Sequence, residues 1–79
     1  MSRGRHIGLL WFLLEGKGSL EQQVLAGIER YQEKFGKMPV LCHVHISLLP
    51  EVQSLDKDKV GVSFEVSPYV LPRHLFFTE

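Results

Sequence analysis

His43 and His45 stand two residues apart in Val40 to Leu48, where two sets of residues alternate strictly. On a strand that spacing sends both imidazoles to one face with their Cα atoms roughly 6.7 Å apart, close enough for both to hold one divalent metal ion. Glu65 is a candidate third ligand if its strand lies beside theirs in register, and His74 a candidate fourth. A site of this kind with an open position would suit a small metal-dependent hydrolase. A plainer reading accounts for the same pair as polar residues on an open sheet face or at the rim of an interface. The expectation is therefore no cofactor, with a divalent metal at His43, His45 and Glu65 as the alternative.

A second constellation is Glu15-Gly16-Lys17-Gly18-Ser19, which joins an apolar run to the start of a helical pattern. Free backbone N–H groups and the helix dipole favour an anion at such a place, so Gly16, Lys17, Gly18 and Ser19 form a candidate anion or nucleotide site. The spacing of a Walker A loop is missing, since the nearest upstream glycine is Gly8. A tight turn followed by a helix cap explains the same residues. Nucleophilic catalysis has less support. Cys42 shares its side of the strand with Val40 and Val44, which reads as a buried thiol, and no strained elbow presents Ser47 or Ser63 beside a histidine. No catalytic residue is assigned.

These residues need elements to position them. Leu20, Val24, Ile28, Tyr31 and Phe35 recur at steps of three or four and predict a helix over 19–35, with Gly27 on the same face. Ser19 and Gln22 have the spacing of a capping box, Gly36 can take the left-handed position at the end, and Pro39 prevents continuation. Before the helix, Ile7 to Leu14 is apolar at every position but Gly8, as in a strand buried on both faces. After it, Val40 to Leu48 alternates as a strand with one dry face. Leu49 to Lys59, with Pro50 and the charges Asp56-Lys57-Asp58-Lys59, predicts a solvated connection. Val60 to Val66 alternates again, and Val70 to Thr78 predicts a last strand with Pro72 inside it, which places that strand at an edge or bends it.

The order strand, helix, strand, strand, strand predicts an α/β (α+β) two-layer sandwich: one helix on a mixed four-stranded sheet. The expected topology has a right-handed crossover joining parallel first and second strands, and an antiparallel hairpin from the last two. Spatial strand order is left open by the sequence. The 79 residues suffice for one domain, with 1–5 as a tail, because folding a chain of this size hides only roughly 63% of its surface.

Nine basic residues balance nine acidic ones, so the cationic field of a dedicated nucleic-acid binder is missing. One cysteine forms no intrachain disulfide, which points to a reducing, cytoplasmic compartment. Arg3, Arg5 and His6 before the apolar run imitate a secretory leader, but no small-x-small cleavage site follows Leu14, and the run is short of the ~20 residues that span a bilayer. Neither nucleic acid nor membrane is an expected partner. One helix covers one sheet face, and on the other Leu10, Phe12, Leu41 and Phe76 would form an apolar patch rimmed by His43, His45, Ser63 and Glu65. The expectation is a non-enzymatic interaction module that self-associates, or takes another protein, through that face.

Overall fold

The computed structural model describes residues 8–16 and 18–79. The tail expected at 1–5, Ile7 and Lys17 lie outside the described residues. Strand β1 (Gly8–Phe12) leads to helix α1 (Leu20–Phe35), strand β2 (Leu41–Val44), a 3-10 turn (Ile46–Leu48), short helices α2 (Leu49–Gln53) and α3 (Lys57–Val60), strand β3 (Ser63–Val66) and strand β4 (His74–Thr78).

Helix α1 forms where its local signals place it. Ser19 Oγ accepts the Gln22 backbone N–H at 3.2 Å, and Gln22 Oε1 accepts the Ser19 N–H at 3.0 Å, so each satisfies a donor that the first turn leaves free. Gly36 closes the other end at φ 76°, with its N–H donating to the Gln32 carbonyl at 2.8 Å. The face holding Val24, Gly27, Ile28 and Tyr31 is buried against the sheet. Cys42, Val44, Leu75 and Phe77 meet it from below, joined by Leu9, Trp11 and Phe64, and Leu48, Val52, Val60 and Val62 extend the core beyond the strands. The fold class is the expected one: a mixed four-stranded sheet with one main helix packed on it. No helix among the described residues is long and apolar enough to cross a membrane.

The strand order is β1-β4-β2-β3, and this corrects two topological expectations, the hairpin and the edge position of the last strand. The first and second strands do run parallel, but they are not neighbours, because β4 lies between them, antiparallel to both. The last two strands make no hairpin. Strand β3 pairs with β2 in parallel, Cys42 opposite Phe64 and His43 opposite Glu65. Nor is β4 an edge: Pro72 precedes it, so the missing ladder donor falls in the turn and the strand that follows is free to be central.

Several boundaries also shift: the first strand ends at Phe12 rather than Leu14, and the last, expected from Val70, begins only at His74, after the turn that holds Pro72. The predicted strand over 40–48 ends at Val44, because His45 Nδ1 accepts the Ser47 backbone N–H at 3.1 Å and caps a 3-10 turn that continues into α2, with Pro50 in its first turn. The predicted solvated connection is largely helical and buries Val52 and Val60, while Asp56 caps α3 by accepting the Asp58 N–H at 3.0 Å. Val60 therefore belongs to a helix rather than to the strand expected to begin there.

Candidate functional site

The sheet face opposite α1 carries Leu10 and Phe12 from β1, His74, Phe76 and Thr78 from β4, Leu41 and His43 from β2, and Ser63 and Glu65 from β3, by alternation along each strand. The path of the chain turns one end of this face into a groove. β3 and β4 are separated by β2, so the connection over 67–73 must pass the end of β2 to reach β4. It does so in two tight turns. Ser67 Oγ accepts the Tyr69 N–H at 3.2 Å, and the Leu71 carbonyl accepts the His74 N–H at 3.2 Å, with Arg73 held at φ 64°. Val70 is buried and anchors the connection, leaving Tyr69 and Leu71 exposed on either side of it.

The resulting groove encloses about 560 Å³. Its floor is Leu10, Phe12, His43, His74 and Phe76, and its wall is Ser67, Tyr69, Val70 and Leu71. No lining residue is an acid, a lysine or an arginine. The polar side-chain groups present are the Ser67 hydroxyl, the Tyr69 phenol and two imidazoles. His74 Nδ1 donates to the Pro72 carbonyl at 2.8 Å, and its ring meets Phe12 edge-on with centroids 4.6 Å apart. His43 holds Nε2 at 3.2 Å from Thr78 Oγ1 and Nδ1 at 3.8 Å from Glu65 Oε1.

The candidate ligands separate in this arrangement. His43 and Glu65 are brought together by the β2–β3 register, but His45 lies past the end of β2 and spends its Nδ1 on the Ser47 cap. Among the described residues no three His, Cys, Asp or Glu side chains are grouped to hold a metal ion. In the glycine loop, Gly16 and Gly18 adopt φ 76° and 101°, and the Ser19 and Gln22 amides that would face an anion are already engaged in the capping box. Burial pushes the Cys42 thiol up to about 12, which leaves it protonated and unreactive at neutral pH.

Of the four residues expected at an interface, Leu10, Phe12 and Phe76 line the groove, while Leu41 sits on the same face at its far end, opposite Thr78. Sequence reasoning did not find Tyr69, Val70 and Leu71. The available signal was three large apolar or aromatic residues inside a turn bracketed by Pro68 and Pro72, where polar residues are the rule. Comparison of the chain with protein-family models, with curated proteins and with solved structures found no match.

Proposed function

We propose that the protein is a non-enzymatic interaction module that associates with a second copy of itself through the open sheet face, centred on the groove. The observation that carries this reading is the exposure of Leu10 (54%), Phe12 (58%), Tyr69 (92%) and Leu71 (66%) around one groove. At roughly 200 Å² for a large side chain, these four offer on the order of 500 Å² per copy. Stable interfaces begin at about 600 Å² per partner, so the groove and its margins supply nearly all of what a dimer needs.

A second copy also suits the electrostatics. The groove lining carries no carboxylate, lysine or arginine that self-association would have to bury unpaired, its two imidazoles already have partners in Thr78 and the Pro72 carbonyl, and the chain's nine acidic and nine basic residues cancel, so copies do not repel through net charge. Aromatic side chains at the centre with polar groups such as Ser67 and Glu65 toward the margin follow the usual anatomy of an interface. Light scattering at micromolar concentration tests the reading. Wild type should scatter as two or more copies, and Tyr69→Asp, which alters a side chain the fold does not bury, should scatter as a smaller particle; a wild-type monomer would overturn the proposal.

A further inference from the structure

The outer edge of β1 presents a different surface, made of backbone rather than side chains. Leu13 N–H donates to the Arg73 carbonyl at 2.8 Å, in register with the β1–β4 ladder. Because hydrogen-bonding direction alternates along an antiparallel strand, Leu9 and Trp11 also turn their N–H and C=O groups toward β4, while Gly8, Leu10 and Phe12 turn theirs outward. Leu14 belongs to the outward set, and the chain satisfies it internally: Gln23 Oε1 accepts the Leu14 N–H at 2.8 Å, and Gln23 Nε2 donates to the Leu14 carbonyl at 3.0 Å. The Gln23 amide thus stands where a neighbouring strand's peptide would. No described side chain does the same for Leu10 or Phe12, and no described strand pairs beyond β1.

Protected edges carry charge, proline, a bulge or a cover. β3, at the opposite edge, carries Glu65, whose side chain is exposed and would meet its own like charge in close self-pairing. β1 reads Gly-Leu-Leu-Trp-Phe, with no charge and no proline. We infer that β1 pairs antiparallel with β1 of a second copy, Leu10 opposite Leu10, extending the sheet to eight strands. That register is the one in which all three outward residues of both strands exchange bonds, Gly8 of each facing Phe12 of the other. It is also sterically matched. The Phe76 ring already lies over Gly8, within 2.8 Å of where a Cβ would stand, so each Phe12 arrives beside an aromatic ring at a position with no side chain of its own. The two helices then fall on one side of the extended sheet and the two grooves on the other, which leaves the groove face free for the association proposed above and makes the closed assembly a tetramer.

The test uses the full chain in a mixture of isotope-labelled and unlabelled copies, with and without Leu71→Asp, which alters the groove and spares the β1 edge. In the inferred register Leu9 of one copy and Trp11 of the other form a closely spaced pair with Cα atoms about 4.5 Å apart, so an intermolecular Hα–Hα contact between them is expected in both proteins. Leu71→Asp should remain a dimer. Adding Leu10→Pro, which removes an outward N–H without breaking a bond to β4, should make it a monomer, whereas Leu10→Ala should not. If that double variant fails to fold, the Leu9–Trp11 contact alone decides. Its absence, a wild-type monomer, or a monomeric Leu71→Asp would overturn the edge pairing. A wild-type dimer that shows the contact and keeps its size in Leu71→Asp would support the edge and refute the groove.

Discussion

Gly27 sets the distance between helix and sheet. A Cβ built there would lie 2.5 Å from Cε2 of Phe77 and 3.3 Å from Cγ of Trp11, so the helix rests directly on two aromatic rings. Alanine is the better helix former by about 1 kcal/mol, yet overpacking typically costs about 1–3 kcal/mol, and the buried Phe77 ring has little space to move. Gly27→Ala should therefore lower the stability measured by urea unfolding; a gain would mean that the helix stands off the sheet. Cys42 gives a pH test. Its thiol is raised by burial from 9.0 to about 12, so the unfolded chain releases the proton first. Stability is then fully present below about pH 9 and falls as pH rises toward 12, at about 1.4 kcal/mol per pH unit from this group. Tyr31, also raised by burial, adds a loss of the same sign only from its ordinary 10.0 upward. Between pH 9 and 10, Cys42→Ala should flatten the decline; an unchanged slope would contradict the burial assigned to this thiol.

Elements were legible where their signals are local. The capping box, the left-handed glycine and the apolar stripe of α1 lie within the helix or next to it, and the structure reproduces them. Ser19→Ala should cost about 0.5–2 kcal/mol by removing the cap, and Ile28→Ala about 2–5 kcal/mol by opening a cavity, with the solvent-facing Glu29→Ala close to neutral. Equal effects of Ile28→Ala and Glu29→Ala in thermal unfolding would mean the wrong face had been taken as buried. The second strand ended early because alternation alone does not distinguish a ladder from a capped turn. His45 decides that matter through one bond to Ser47, and a histidine cap leaves no period in the sequence. Val52 and Val60 were hidden for a related reason: each is a single apolar anchor among polar residues, enough to bury a one-turn helix but too little to show a stripe.

For the whole molecule, the two-layer sandwich followed from one amphipathic helix and four apolar segments, whereas strand order depends on long-range pairing that no local pattern encodes. The insertion of β4 between β1 and β2 has a functional consequence. It forces the connection over 67–73 past β2 and so builds the groove wall, which is why Leu10, Phe12 and Phe76 were legible as a patch but Tyr69 and Leu71 were not. A flat face became a concave one through topology. Sedimentation equilibrium of wild type and Leu71→Asp at equal micromolar concentration tests the association of that face most directly. Wild type should give an even multiple of 9.1 kDa, and Leu71→Asp, with native circular dichroism, half the wild-type mass. A wild type that sediments as a monomer, or a folded Leu71→Asp with undiminished mass, would contradict it.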